Sequence, residues 1–224
     1  MIQEVREKNK NTKGKIRIST PIGFHNLILA SIMSDFLKLY PNIEIYIYSS
    51  AAYDQLPELE KYDLAFRAGD PSRYPLTKVF RKVLKYKFVV CVSPQYIKEK
   101  GMPKSLKDLK KHNCLGNVNF SKTKKAWNFI DENSPISIEV KSNINVDLGD
   151  LAIKLSLGNT GILYIPDFLV IKYINNGDLV QLLSQYDTPE EHICWYHSYN
   201  NKNIPYRIKL LSDFIFKNIT EVNR

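Results

Sequence analysis

Cysteine is scarce in this chain: three residues, Cys91, Cys114 and Cys194, in 224. They are odd in number and lack close pairing, so they suggest neither a disulfide framework nor a zinc knuckle, and a reducing cytoplasm is the expected compartment. The first ten residues, Met1 to Lys10, are charged throughout and lack the apolar core of a secretion signal. No apolar run approaches membrane-spanning length, so no membrane partner is expected. There is no glycine-rich phosphate loop and no nucleophile elbow. His25 and His112 are isolated. His192, Cys194 and Tyr196 alternate along one strand face with His197 following, a set that could hold a soft metal only with further thiols or carboxylates nearby. It reads as a buried strand face, and no metal or cofactor is expected.

Acidic residues are outnumbered, 23 against 32 basic ones, for a net charge of +9. Such a balance raises nucleic acid or anionic membrane as a partner. The basic residues are scattered, however, through Lys78 to Lys87, Lys104 to Lys111 and Lys122 to Lys125. Runs of this kind read as solvated faces, with weak contact to DNA or an acidic ligand as the alternative. Ser121-Lys122-Thr123-Lys124 has the Ser-x-x-Lys spacing of some acyl-transfer enzymes, a match expected by chance in a lysine-rich loop, so no catalytic residue is assigned. The hydrophobic content of 44% supports a sizeable core, in one large domain or two lobes.

What is present is a repeated strand-to-helix junction. Gly14 to Pro21 alternates as a strand, stops at Thr20-Pro21 and turns into an amphipathic helix from Phe24 to Tyr40. Helix starts expose unpaired backbone N–H groups and a partial positive charge, which suits an anionic or polar ligand. The junction recurs at Ser93-Pro94 and at Pro166-Asp167. Between these lie strands expected at Ile43 to Tyr48, Asp63 to Arg67, within Leu76 to Val92, and at Cys114 to Phe120, Ala126 to Ile130, Ile136 to Lys141 and Gly161 to Pro166. Helices are expected at Leu56 to Glu60, from Pro94, from Ser105 to Lys111, over Leu148 to Leu157 behind Asp147, and over Asp167 to Ile174 closed by Asn176-Gly177. A strand at His192 to Tyr199 and a helical stripe from Ile204 to Ile219 finish the chain. The Phe24 to Tyr40 helix is apolar on more than one face and needs two partners, unless it is wholly internal. Alternating strands and helices indicate open α/β sheets, whose ligands sit at the carboxyl ends of strands.

Ordered short segments then carry a resemblance. They are Gly14 to Pro21, Phe36 with Tyr40-Pro41, Asp63 to Gly69, Val92-Ser93-Pro94 with Tyr96, Gly101 with Pro103, and Leu109 with His112 to Leu115. Trp127 to Phe129, Gly161-Ile162 leading to Ile165-Pro166, Gly177 with Leu179-Val180, and Pro205, Arg207 and Asp213-Phe214 continue it. In these the chain resembles the effector-binding domain of LysR-type transcriptional regulators. The resemblance implies an α/β fold of two Rossmann-like lobes, like a type 2 periplasmic binding protein, with a ligand cleft between them. Residues 1–13 would end a linker helix from an absent winged helix-turn-helix; 14–91 plus 194–224 would form the first lobe and 92–193 the second.

The function implied is non-catalytic sensing of a small, anionic or polar metabolite, in a bacterial cytoplasmic protein that binds DNA only through the absent module. A homodimer through the Phe24–Tyr40 helix is expected, with Leu148 to Leu157 opposite and tetramers open to a full-length chain. A bilobal solute-binding protein of a transport system is the alternative. Carried over by position, the ligand contacts would be Ser19, Thr20, Ile22, Phe24, Ser49, Ser50, Arg67 and Ala68, then Val92, Ser93, Asn119, Phe120, Asn145 and Ile162. Several have a second reading. Thr20, Ser93 and Asp147 could only cap helices, Arg67 could pair with Asp63 or Asp70, and Phe120 and Trp127 could be core. Asn159 stands where the family usually has glycine, and asparagine can still adopt a left-handed turn.

Overall fold

Hydrophobic alternation becomes strand and helix largely in the expected order, with two short strands, Asn145–Val146 and Val180–Leu182, that the sequence reading did not name. A computed structural model describes residues 12–50, 61–69, 80–117, 126–197, 199 and 204–222. Nearly all of the linker-helix segment and the helix expected at Leu56 to Glu60 lie outside them.

The chain opens on β1 (Gly14–Pro21), whose Ile16 and Ile18 are fully buried. Helix α1 (Ile22–Leu39) follows, with a π turn at His25–Leu29. Strands β2 (Ile43–Ser50), β3 (Leu64–Gly69), β4 (Phe80–Tyr86) and β5 (Phe88–Val92) come next. Helix α2 (Pro94–Lys100) and a 3-10 helix (Leu106–Lys111) lead to β6 (Gly116–Asn117), β7 (Ala126–Asp131), β8 (Ser134–Glu139) and β9 (Asn145–Val146). Helix α3 (Gly149–Leu157), β10 (Leu163–Pro166), α4 (Asp167–Asn175), β11 (Val180–Leu182), β12 (Glu191–His197) and α5 (Tyr206–Val222) complete the order.

The chain forms two compact units, one of residues 1–85 and 192–224, the other of residues 86–191. The sequence reading placed the crossings at 91/92 and 193/194. The compact units divide at 85/86 and 191/192, and β5 is the middle strand of the second unit's sheet, between β10 and β11.

Unit 1 is built on a five-stranded sheet in the order β2-β1-β3-β12-β4. β1 runs parallel to β2 and β3, while β12 returns antiparallel to β3 with Cys194 opposite Arg67. One face of α1, formed by Phe24, Ile28, Leu29, Ile32, Met33 and Phe36, is buried. Phe36 meets Phe214 of α5 edge-on at 5.4 Å. Leu27, Leu37 and Leu39 are exposed, so α1 is not wholly internal. Its 18 residues are apolar and long enough to span a membrane by length and composition, contrary to the sequence expectation. Packing of its buried face within unit 1 marks it as a core helix.

Unit 2 centres on the antiparallel sheet β10-β5-β11. Leu163, Ile165, Ala152, Ile153, Leu169 and Val170 fill its core with Cys91. Trp127 stacks on Tyr164 at 5.2 Å and is buried, which resolves it as core. β7 and β8 form a hairpin whose turn residues Glu132 and Asn133 both have positive φ, 46° and 66°. That pair gives the strand twist of a two-residue primed turn without the usual glycine. Gly177, at φ 79°, follows the end of α4 in the left-handed conformation that favours glycine.

Candidate functional site

The unit 1 residues singled out by sequence gather at the carboxyl ends of the parallel strands. Ser19 pairs with Tyr48 and Ala65, Thr20 with Ser49, and Pro21 with Ser50. Partners in register share a sheet face and neighbours alternate. Ser19, Ser50 and Arg67 therefore lie on one face, with Cys194 and Tyr196, and Thr20 on the other. Ser19 and Thr20 are buried and Ser49 is exposed.

Arg67 is the distinctive residue of this group. It is 1% exposed, and its Nη1 donates to Phe66 O at 2.7 Å and to Ser50 Oγ at 3.2 Å. Burying a guanidinium is costly unless acceptors surround it. Asp63, one salt-bridge partner considered for it, is engaged elsewhere. Its Oδ2 accepts the Arg17 backbone N–H at 2.8 Å and stands 3.6 Å from Arg17 Nε, and its Oδ1 accepts the Tyr199 hydroxyl. Asp70, the other, lies outside the described residues.

Thr20 does not cap α1. Pro21 occupies the cap position, no side chain bonds the first turn, and the Thr20 hydroxyl reaches only the Pro21 carbonyl at 3.5 Å. Ile22 is half-buried at the helix start. Phe24 is buried against Phe66, ring centres 5.1 Å apart, and Ala68, next after Arg67 in β3, is buried too. Phe24 is thus a core ring.

In unit 2, Val92 ends β5 and Ser93 caps α2. The Ser93 hydroxyl accepts the Tyr96 N–H at 3.3 Å and donates to Asn159 Oδ1 at 2.7 Å. Asn159 has φ 63°, the left-handed turn expected of it. Ser105 caps the 3-10 helix through a capping box with Asp108. Asp147 does not cap α3, because the helix begins later and Leu148 takes the cap position. Ile162 is fully buried, bridged to Cys114, and its carbonyl accepts the Leu115 N–H at 2.7 Å. Asn145 is exposed and pairs with Gly116, where an added Cβ would stand 2.0 Å from Asn145 Oδ1. Asn119 and Phe120 lie outside the described residues, as does Ser121 to Lys124.

Two polar side chains of this neighbourhood escaped the sequence reading. Asn159 was read for its backbone alone, yet its amide holds Ser93. Asn113 ties the same turn from the other side, its Nδ2 donating to Thr160 O at 2.7 Å. The signal for Asn159 was an asparagine in a turn where glycine is usual; Asn113 carried no such signal in the sequence.

Polar groups at strand ends beside helix starts define a ligand-holding α/β domain. Residues 9–216 match the model of the LysR substrate binding domain. The HTH-type transcriptional regulator CrgA of Neisseria meningitidis serogroup C (strain 8013) is 28% identical over 208 residues, 92% of this chain and 68% of that protein. The HTH-type transcriptional activator TtdR of Escherichia coli (strain K12) is 23% identical over 188 residues, 83% of this chain and 59% of that one. The chain therefore spans roughly three-fifths to two-thirds of the length of these relatives. The CrgA regulatory domain from Neisseria meningitidis has the same fold, with a TM-score of 0.81 and 25% identity over 93% of this chain and all of that one. This chain belongs to the LysR substrate binding domain family. That family is regulatory, not enzymatic, and the matches support effector sensing over solute transport.

Proposed function

We propose that this chain is the effector-sensing part of a LysR-type regulator, cytoplasmic and bacterial, which holds a small anionic metabolite without transforming it and thereby biases DNA binding by a helix-turn-helix module. The observation that carries the anionic class is Arg67, a buried cation beside Ser50 at the strand ends of unit 1. Carboxylates are the natural partners of a guanidinium, which can meet both oxygens at once. Ser19, Thr20, Ile22, Ser49, Ser50, Arg67 and Ala68 in unit 1, with Phe24 behind them, and Val92, Ser93, Asn145 and Ile162 in unit 2, are the proposed contact set; Asn119 and Phe120 complete it. The ligand acts by its preference between conformations, a coupling typically of about 1–3 kcal/mol.

The exposed Leu27, Leu37 and Leu39 of α1, and Leu148 and Leu151 at the start of α3, support an oligomer that covers them, a homodimer through α1 first. Isothermal titration with a panel of mono- and dicarboxylates tests the sensing claim. A carboxylate should bind, Arg67→Met should weaken it at least about tenfold, and the ligand should be recovered unchanged. Tight binding of only cationic or neutral compounds would reject the anionic class.

A further inference from the structure

A concavity lies wholly inside unit 1, running from Gly14 and Lys15 at the amino end of β1 along β2 as far as Tyr48, which stands opposite Ser19. The cavity measures about 550 Å³ and is lined by Gly14, Lys15, Arg17, Tyr46, Tyr48, Asp63 and Arg207. A volume of that order suits an organic ligand.

Its charges leave one cation over. Arg17 has Asp63, as described. Lys15 Nζ stands 3.8 Å from Glu44, which also accepts the Tyr46 hydroxyl at 2.9 Å. Arg207 donates its Nε to Lys15 O at 3.0 Å and, among the described residues, meets no carboxylate. Gly14 makes room for that arginine: at φ 128° it occupies a conformation L side chains rarely adopt, and an added Cβ would stand 3.3 Å from Arg207 Cδ. The guanidinium is therefore fixed by its stem while its terminal nitrogens are left to serve the cavity.

The remaining walls are aromatic. Tyr46 and Tyr48 are 40% and 43% exposed, which is unusual for rings in the middle of a strand. Tyr46 is held in place by Glu44, with Lys15 Nζ 5.6 Å from its ring centre. Tyr48 is braced by Tyr62 at 5.4 Å.

We propose that this cavity is a second small-molecule site, taking a flat aromatic compound with a single carboxylate. The carboxylate lies on the terminal nitrogens of Arg207, bidentate, and the ring lies against Tyr46 and Tyr48. One cation that meets no carboxylate among the described residues sets the ligand charge at one, and the exposed rings supply the apolar surface that an inorganic ion would not use. The site adjoins the effector contacts proposed above at Tyr48, opposite Ser19, while its cation Arg207 and its other ring Tyr46 belong to neither that set nor its strand ends.

The test is a titration of the 15N-labelled chain with 2-naphthoate, with 2-naphthalenemethanol and with inorganic phosphate, read by amide shifts. Naphthoate should move Lys15, Arg17 and Tyr46 saturably, and the alcohol and phosphate should not. Arg207→Gln should weaken naphthoate at least about tenfold. Tyr48→Leu, which leaves the charges in place, should weaken it several-fold and guards against a misfolded arginine variant. Equal binding of the alcohol or of phosphate, shifts confined to Ser19, Thr20, Arg67 or Ser93, or unchanged affinity in both variants would overturn the proposal.

Discussion

Replacing Ser93 by alanine separates two jobs that one hydroxyl could have. Ser93 is 3% exposed, and its oxygen both accepts from the Tyr96 amide and donates to Asn159. Loss of an N-cap costs about 1 kcal/mol, and loss of a buried neutral hydrogen bond about 1 kcal/mol more. The expected destabilisation is therefore about 2 kcal/mol, a fall of roughly 4–8 °C in melting temperature for a chain of this size. Urea denaturation followed by fluorescence gives the global value. Exchange of the Tyr96 amide proton gives the local one, and it should speed up because its acceptor is gone. An unchanged midpoint together with unchanged Tyr96 exchange would refute the reasoning and leave the hydroxyl without the structural work assigned to it here.

Arg67→Met should cost about 1–3 kcal/mol of apo stability, since the buried Phe66 carbonyl loses its donor while the space stays nearly filled, whereas Arg67→Ala should lose more because it leaves a cavity as well; equal damage in the two by thermal melting would contradict this. Cys91 and Cys114 are fully buried and burial pushes both thiols up to about 12, so a disulfide reagent should find neither in the native chain and should find both in urea; a fast native phase from either would contradict the packing. Burial also holds His197 and His112 below the usual imidazole range of 6.5. The unfolded chain then binds protons that the folded chain resists, so stability should be full above about pH 6.5 and fall as pH drops towards the lowered folded values. Melts between about pH 7.5 and about pH 5.5 check this, and His197→Gln should flatten the dependence; a Tm that rises on acidification would reverse the sign.

The order of elements was legible because hydrophobic alternation and turn residues carry it. Gly14 to Pro21, the Ser93 and Ser105 caps and the Asn176-Gly177 stop all stand where sequence placed them. The cap expected at Asp147 and the one left open at Thr20 are absent for a shared reason: a helix start is fixed by where the backbone turns, and in both places it turns after the polar side chain. Which unit Phe88 to Val92 joins was not legible, because it is as apolar as a strand of either sheet and only pairing with β10 and β11 decides its membership. The depth of Arg67 and the tie between Ser93 and Asn159, far apart in sequence, depend on contacts that no local pattern encodes. The cavity around Arg207 is of the same kind, joining the first described strand to the last helix.

Calorimetry with a carboxylate ligand, paired with chromatography of the same solution afterwards, reaches the central claim most directly. A ligand present at about a hundred times its dissociation constant should raise stability by about 2.7 kcal/mol, an effect that should fall by about half or more in Arg67→Met, and the ligand should come back chemically intact. Conversion of the ligand to a product, or stabilisation of the same size in Arg67→Met, would contradict the account of this chain as a sensor that holds an anion at Arg67.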